Sequence, residues 1–600
     1  MKKTALRAVL FAFLAAAVSV AAPAFVRAAE PLVARLGNGL EVILLENHGS
    51  PMIAATTVVR AGADLETAAT SGASHMMEHL LFNGTERRTQ KELYDEVDLY
   101  GIYNNATTRR SHTDYFVLVS KDRIREAMDI QADMLFHSTF PVENFEKEKG
   151  IVLEEMGKDE EDPGYIAEQL FRNAAFAGTP YARPILGSRK SIAGMSREDV
   201  VRYWRATYVP SNMTLFVMGD FDAEAMLAVV DSIYGAAEAG APPEHPNTPF
   251  PPIGEGGPVR VFHGKTEEGQ LSVAFLPGVY AVARPGIQDA LTAYIGKRLS
   301  EDLAEGDEPV AFSVGASYER RTPPSASLAI GTTKERMDGF GRPVLSATFD
   351  PSRSPEEIEA ALLASLRKIA ESEPDPDEIE RFRVSMKTSD IYLSEKPHMY
   401  GMMKAESIAE GGYDAIEEGG VALDSIGPAS IRNLIARLVP ENSISVAFLP
   451  GEPDYAEADL ETAVPGEKPI WEAGPLPEAA PTKVAASAAP GAPSGGLAIL
   501  RAPAKGGAAR AARSERVDTT LANGLRIVVQ SNDDSEVFAI HMLARHRSWQ
   551  EPAGLSGIAD CLHRLLLKGA GDSDGPALRA RLERIGAEVK AHDESFIPYD

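Results

Sequence analysis

Residues 74–85, with the sequence SHMMEHLLFNGT, combine the pattern of a short amphipathic helix with three side chains that can do chemistry. The apolar positions that predict the helix are Met76, Met77, Leu80 and Leu81. Asn83-Gly84 predicts where it ends, because glycine readily takes the conformation that closes a helix. The reactive side chains His75, Glu78 and His79 lie within this helix.

The spacing of these three side chains is typical of a metal site. His75 and His79 are four residues apart, so both imidazoles lie on one helix face and can reach the same ion. Zn²⁺ prefers imidazole nitrogens and a carboxylate oxygen at roughly 2.0–2.2 Å, with one position open for water. Glu78 projects near that face, and its carboxylate is placed to hold a water molecule at the metal.

The third ligand must come from elsewhere in the chain. Residues 145–156, FEKEKGIVLEEM, predict a second helix. Glu148 and Glu155 are seven residues apart and share a face of that helix, whereas Glu154 points away from it. We expect Glu155 to be the ligand and Glu148 to hydrogen-bond a ligand or the water.

Simpler interpretations exist for each element. Two histidines four apart can occur by chance in a chain with 12 histidines, and a helix rich in Glu and Lys is usually a solvated face. The combined pattern favours the metal site, since H-x-x-E-H is the inverse of the metallopeptidase signature H-E-x-x-H.

The motif at residues 75–85 resembles the zinc motif of the pitrilysin (M16) family, which includes insulin-degrading enzyme and mitochondrial processing peptidase. The further matching segments are Asn38–Leu40, Tyr103–Thr107, Pro180–Gly187 and Val217–Asp220. The resemblance implies a zinc ion held by His75, His79 and Glu155, with Glu78 as the catalytic base.

The same resemblance implies a fold and a substrate edge. The expected fold is α+β, with tandem M16-type α/β sandwich domains (pitrilysin/LuxS-metallohydrolase-like) whose antiparallel-rich sheets are flanked by helices. Asn105, Ala106 and Thr107 would lie on an edge strand to which a peptide substrate adds as a further strand. The alternative for Asn104-Asn105 is a simple turn.

Composition restricts the class of partner. The chain has 600 residues, 44% of them hydrophobic, which is enough for several packed domains. A formal charge of −27 argues against a nucleic-acid partner and against anionic membrane surfaces. Cys561 is the only cysteine, so no disulfide can form within the chain.

Residues 1–29 have the pattern of a signal peptide. Lys2, Lys3 and Arg7 precede an apolar run at residues 8–22, and small residues follow at Ala22-Pro23-Ala24 and at Val26-Arg27-Ala28. We therefore expect a periplasmic or secreted protein of a bacterium, with no stable membrane anchor after cleavage. An uncleaved anchor is the alternative.

The rest of the chain divides by composition. We expect a catalytic domain at residues 30–250, a second M16-type domain without a metal motif at 258–455, and an Ala/Pro/Gly-rich linker at 472–515. Strands are predicted at residues 40–45, 53–59, 115–119, 214–218 and 344–349, and helices at 143–156, 197–208 and 355–371. His398 is isolated from other candidate ligands and is more typical of a structural or exposed side chain.

Residues 516–600 start the first pattern again. Asn523-Gly524-Leu525 repeats Asn38-Gly39-Leu40 at a distance of 485 residues, and Gly569 and Gly586 repeat Gly84 and Gly101 in the same register. This register places Asp560, His563 and Arg564 opposite His75, Glu78 and His79. We therefore expect a second, degenerate repeat without zinc, which the chain includes only in part.

Together these patterns predict a zinc-dependent metalloendopeptidase that cleaves peptides or unfolded polypeptides in the bacterial periplasm, with one Zn²⁺ per chain in the first repeat. A catalytically silent scaffold or a peptide-binding subunit is the alternative function. Peptide substrates, a second M16 subunit and a second copy of the chain are the candidate partners.

Overall fold

The computed structural model describes the chain in several stretches. The described residues are 30–245, 257–275, 285–305, 309–320, 341–372, 374–460, 464, 496–502, 516–531, 535, 537–542 and 551–589. The predicted signal peptide and most of the predicted linker lie outside them. Within these stretches, no helix has both the length and the apolar composition that crossing a membrane requires.

The first of two mixed sheets carries the strands that surround the metal-binding motif. Its strands are β1 (Leu32–Arg35), β2 (Glu41–Glu46), β3 (Met52–Val59), β4 (Tyr103–Thr108), β5 (Thr113–Ser120), β6 (Met213–Gly219) and β12 (Ala498–Arg501). Their order is β12-β1-β2-β6-β3-β5-β4, and β2 and β6 are the one parallel pair among the described strands of this sheet. Because β4 pairs with β5 on one side alone in the described part of the chain, it forms an edge of the sheet.

Both faces of this sheet are covered, which explains its nearly continuous apolar strands. In β2, Val42 and Leu44 belong to the core that the strands form with the neighbouring helices. Ile43 and Leu45 point to the other face and pack in a separate cluster. The helices that follow β3 are α1 (Ala73–Leu80), α2 (Gln90–Tyr100), α3 (Ile124–His137), α4 (Val142–Asp159), α5 (Pro163–Ala175), α6 (Arg189–Gly194), α7 (Arg197–Thr207) and α8 (Ala223–Tyr234).

A second mixed sheet follows and is built on a similar plan. Its strands are β7 (Arg260–Gly264), β8 (Gly269–Phe275), β9 (Ser313–Arg320), β10 (Gly341–Phe349) and β11 (Ser443–Pro450), in the order β7-β11-β8-β10-β9. The helices of this part are α9 (Pro285–Leu303), α10 (Pro355–Glu371), α11 (Pro376–Ser394), α12 (Pro397–Asp424), α13 (Pro428–Ile435) and α14 (Glu457–Leu460). Two mixed sheets flanked by helices confirm the predicted α+β fold class.

Helix α12 connects the second sheet and its helices to the first sheet. Its first half packs on the face of the first sheet opposite to α1. Tyr400 and Ile408 of α12 share a buried cluster with Phe216 of β6. The buried Arg60 side chain donates hydrogen bonds to the carbonyls of Ile408 and Ala409. The helix bends directly afterwards, at Gly411 and Gly412, and the φ of +65° at Gly412 favours glycine.

The segment predicted as a linker contributes a strand. Residues 498–501 form β12, which pairs antiparallel with β1 at the edge opposite β4. The side chains of β12 are mostly exposed, so its pairing depends on backbone hydrogen bonds rather than on burial of a core. This is why composition alone predicted no structure there.

The described residues after the linker repeat local features of the first sheet. Their elements are β13 (Arg516–Thr520), β14 (Arg526–Gln530), α15 (Ile558–Leu565), β15 (Gly569–Ala570), β16 (Ser573–Asp574) and α16 (Gly575–Arg584). Four pairs of glycines 485 residues apart have positive φ in both members: Gly39 and Gly524, Gly72 and Gly557, Gly84 and Gly569, and Gly101 and Gly586. The side chains of Asp560, His563 and Arg564 on α15 lie outside the described structure.

Candidate metal centre

Helix α1 is oriented by its two ends and by its apolar face. It starts after Gly72, whose φ of +89° favours glycine and where a Cβ would lie 2.5 Å from the Leu186 carbonyl oxygen. The Glu66 carboxylate accepts the backbone N–H groups of Gly72 and Ser74, each at 2.7 Å, at the positive end of the helix. The buried side chains of the helix include Met76, Met77 and Leu80. His75, Glu78 and His79 are therefore left on the face that looks away from the core.

Helix α4 presents its glutamates to this face. Its buried residues are Phe145, Glu148, Val152 and Met156, which recur at helical spacing. Glu155 lies on the margin of this stripe and its side chain is 36% exposed. Glu154 is exposed and points away, as the helical register predicts.

The structure brings His75, His79 and Glu155 together. One ligand atom from each lies within 4.8 Å of the others, and among the described residues this is the one group of three with metal-binding character. The Glu155 Oε2 atom is 3.9 Å from His75 Nε2 and 3.4 Å from His79 Nε2. A tetrahedral site with arms of about 2.1 Å places its donor atoms about 3.4 Å apart, so the three groups fit a zinc ion.

Glu148 determines which nitrogen of His79 faces the other ligands. Its Oε2 lies 3.2 Å from His79 Nδ1, and the Glu148 side chain is only 9% exposed. An ionised carboxylate can only accept a hydrogen bond, so Nδ1 carries the proton and Nε2 keeps its lone pair toward Glu155. This is the arrangement in which a histidine ligand is usually held.

His75 is kept in the neutral form that binds metals. Burial, with a smaller contribution from the neighbouring His79, lowers the pKa of His75 from 6.5 to about 4. Its imidazole is therefore unprotonated at neutral pH, and no proton has to be displaced on metal binding.

Glu78 lies beside the cluster and is linked to the edge strand. The Thr108 hydroxyl of β4 donates to Glu78 Oε2 at 2.5 Å. Burial raises the pKa of Glu78, and the hydrogen bond from Thr108 opposes this rise. A carboxylate with a raised pKa at a metal cluster is suited to accept and return a proton.

Asn105, Ala106 and Thr107 lie on β4, as expected, but their side chains face in different directions. Ala106 is buried in the core shared with α1, Asn105 is exposed, and Thr107 is half-buried. The Asn105 side-chain oxygen accepts the N–H of Ala106 at 2.9 Å. This N–H therefore pairs with a side chain of its own strand rather than with β5, and β4 has no described partner strand on its other side.

The motif analysis missed two residues that touch the site. Thr108 has the same orientation as Ala106, two positions earlier, and this alternation is the signal that could have found it. Glu66 has no such signal, because its contact with α1 depends on the fold of residues 60–72. His398 packs as a structural side chain does, with its ring 5.8 Å from that of Tyr103 and 5.6 Å from that of Phe116, and it does not belong to the metal-binding group of the described residues.

Known proteins resemble the chain in sequence and in fold. It is 30% identical over 202 residues to an uncharacterized zinc protease of Bacillus subtilis, a match that covers 34% of this chain and 49% of that protein. It is 31% identical over 210 residues to the mitochondrial-processing peptidase subunit beta of Neurospora crassa, covering 34% and 44%. The chain therefore spans less than half the length of each of these relatives. A crystal structure of a protease from Helicobacter pylori superposes with a TM-score of 0.60 at 18% identity, covering 71% of this chain and all of that one.

Family models match parts of both sheets. The model described as insulinase (peptidase family M16) matches residues 41–189, which include the metal cluster. The model described as peptidase M16 inactive domain matches residues 194–385. Together they match more than half of the chain, and it belongs to the M16 peptidase family.

Proposed function

We propose that the chain is a zinc-dependent endopeptidase that cleaves peptides or unfolded polypeptides. The observation that carries this proposal is the meeting of His75, His79 and Glu155 within 4.8 Å beside the Glu78 carboxylate. A silent scaffold has no need of a neutral ligand histidine and a buried carboxylate held at the same cluster.

His75, His79 and Glu155 would hold the zinc ion, and Glu148 would keep His79 in the binding tautomer. When bound, zinc supplies Lewis-acid chemistry: it lowers the pKa of water and polarises the scissile carbonyl. The half-buried position of the histidines, with 13% and 18% of their side chains exposed, limits access by solvent. The same exposure leaves one side open to a peptide.

Glu78 acts as the general base and then as the general acid. Its carboxylate accepts a proton from the attacking water while the water oxygen bonds to the carbonyl carbon of the peptide. It returns that proton to the leaving nitrogen as the C–N bond breaks. The hydrogen bond from the Thr108 hydroxyl holds the carboxylate in place for this transfer.

The substrate binds along the free side of β4. Backbone N–H and C=O groups of residues 104–108 would pair with an extended peptide, and Thr108 sets the distance of this strand from Glu78. Recognition through backbone groups tolerates many sequences and requires an extended chain. This favours short or unfolded polypeptides over folded proteins.

We further propose that the protein acts outside the cytoplasm, in the periplasm or after secretion. The support is the charged start, apolar run and small-residue cleavage sites of residues 1–29. One relative is named as a beta subunit, which makes a second M16 chain or a second copy of this chain a candidate partner.

The test compares the protein with its Glu78→Gln variant. Both are incubated with a mixture of unstructured fluorogenic peptides, and the zinc content of both is measured. We expect equal zinc in both and hydrolysis by the unmodified protein alone. Equal hydrolysis by both would refute the assigned base, and absence of zinc from both would favour the scaffold.

A further inference from the structure

The face of β4 that looks away from the metal carries an aromatic and thioether surface, which side chains of β4 and of helix α12 form together. The Tyr103 and His398 rings meet edge to face, with centroids 5.8 Å apart and an angle of 89°. Four residues further along α12, the Met402 sulfur lies 4.0 Å from the Thr107 hydroxyl. We call these four residues, Tyr103, Thr107, His398 and Met402, the distal surface.

The distal surface is directly continuous with the edge at which a peptide would bind. Tyr103 and Thr107 are four positions apart on β4, so both side chains point to the same side, opposite to Ala106 and Thr108. Ala106 packs in the core shared with α1, and Thr108 contacts Glu78. The metal centre and the distal surface therefore lie on opposite faces of the same strand.

A peptide paired with β4 must present side chains to both faces in alternation. Residues directly opposite each other in paired strands have Cβ atoms about 4.5–5.5 Å apart, and diagonal neighbours are within reach of long side chains. Every second side chain of the peptide would thus face the metal centre, and those between would lie against the distal surface.

The chemistry of the distal surface favours a large apolar partner. Tyr103 is 54% exposed although it is a large aromatic side chain at the sheet edge, and it also contacts the Phe116 ring at 5.5 Å. Aromatic rings bind other rings edge to face or offset, and thioethers adapt to the shape of their neighbours. None of the four side chains carries a full charge when His398 is neutral, and burial lowers its pKa.

We propose that the distal surface is a specificity subsite, which takes an aromatic or long aliphatic side chain of the bound peptide on the face of β4 remote from the metal. This inference rests on the proposed function, since it assumes that a peptide pairs with β4. In this inference, His398 and Met402 of helix α12 take a direct part in substrate choice.

The experiment measures peptide binding without turnover. In a zinc-loaded Glu78→Gln background, fluorescence anisotropy is used to titrate a series of Ser/Ala-based peptides with one phenylalanine moved stepwise along the chain. We expect affinity to alternate with a period of two residues, with about two- to tenfold tighter binding when phenylalanine faces the distal surface. The double variant Tyr103→Thr/Met402→Ala should abolish this difference and keep the affinity for the phenylalanine-free peptide within about twofold.

Two further variants guard the interpretation. Tyr103→Phe should retain the preference, because it keeps the ring. Phe312→Thr removes an aromatic side chain of similar exposure, 59%, next to β9 of the second sheet, and should change nothing. Equal zinc content and circular dichroism show that each variant is folded.

The outcomes separate this inference from the proposed function. If the unmodified protein hydrolyses the peptides but the double variant keeps the phenylalanine preference, the subsite is refuted and the function stands. If binding alternates as expected but the unmodified protein does not hydrolyse any peptide, the subsite stands and the function is refuted. Binding without alternation, or no binding of any peptide, overturns the subsite.

Discussion

Replacing Glu66 by glutamine should change the way in which the stability of the first sheet and its helices depends on pH. The Glu66 side chain is buried against the first turn of α1, where it accepts the N–H groups of Gly72 and Ser74. Burial raises the pKa of Glu66 from 4.5 to about 7, against the lowering effect of both hydrogen bonds and of Arg183. Between these two pH values the folded protein keeps a proton on Glu66 that the unfolded chain has lost.

The size of the effect follows from linkage between protonation and folding. One pKa unit corresponds to about 1.36 kcal/mol, so a rise from 4.5 to about 7 is worth about 3 kcal/mol. Because the folded pKa is the higher one, this contribution is complete below pH 4.5 and is lost as the pH rises through 7. A glutamine does not titrate, so the free energy of unfolding of the unmodified protein, relative to Glu66→Gln, should fall by about 3 kcal/mol over this range.

Trp204 provides the assay. Its indole N–H donates to the Leu135 carbonyl at 2.8 Å, within the helices that cover the first sheet. With Trp471 and Trp549 replaced by phenylalanine, urea unfolding followed by fluorescence reports this part of the molecule, and a chelator removes any contribution from zinc. Measurements at pH 4.5, 5.5, 6.5 and 7.5 define the curve.

The C-terminal part of the chain offers a matched control. Glu551 accepts the N–H groups of Gly557 and Ala559 at 2.9 and 3.1 Å, which is the same capping contact 485 residues further on. Glu551→Gln should leave the Trp204 transition unchanged at every pH. If the free energy of unfolding of the unmodified protein, relative to that of Glu66→Gln, stays constant or increases with rising pH, the reasoning is refuted, because the two N–H bonds would then outweigh burial.

Three further predictions concern the metal centre. Glu155→Gln should weaken zinc binding more than about 100-fold, which is beyond the loss typical of an outer hydrogen-bond partner, whereas Glu154→Gln should have no effect because Glu154 is exposed. A titration against a competing chelator measures the zinc affinity of both variants. A larger loss of affinity in Glu154→Gln than in Glu155→Gln would contradict the ligand assignment. Glu148→Gln should weaken zinc binding about 10- to 100-fold in the same titration, because His79 loses a carboxylate acceptor. An unchanged zinc affinity would contradict the role of Glu148 in holding His79. Thr108→Val should lower kcat on a fluorogenic peptide about tenfold, because Glu78 loses one hydrogen bond, and the zinc affinity should stay unchanged. Loss of zinc at constant kcat would be inconsistent with a role of Thr108 at Glu78.

Local sequence predicted best the elements whose pattern is determined within a few residues. The strand predicted at residues 53–59 is observed at Met52–Val59, and the helix predicted at 355–371 is observed at Pro355–Glu371. Ser354 caps that helix and Pro355 occupies its first position, which are signals visible in the sequence. Helical register predicts that Glu148 and Glu155 share one face of their helix, and the structure places both side chains beside His79.

Elements whose burial depends on distant parts of the chain were not predicted. Helix α12 has two adjacent glycines at its bend, which argues against a helix locally, and its first half is stabilised by the face of the first sheet. Helix α2 has only Leu93 fully buried, so its apolar periodicity is weak, although Thr89 forms a capping box with Glu92. For the same reason the contact between Tyr103 and His398, which are almost 300 residues apart, has no signal in a single sequence.

The central claim is that the cluster of His75, His79 and Glu155 holds the zinc with which Glu78 cleaves peptides. The most direct measurement is a titration of zinc into the metal-free protein, with binding and hydrolysis of an unstructured fluorogenic peptide followed in the same sample. We predict that hydrolysis rises with zinc and saturates at one equivalent. Glu78→Gln should bind the same equivalent while its hydrolysis stays at least about 100-fold lower. Hydrolysis that does not depend on zinc, or that Glu78→Gln retains in full, would contradict the account.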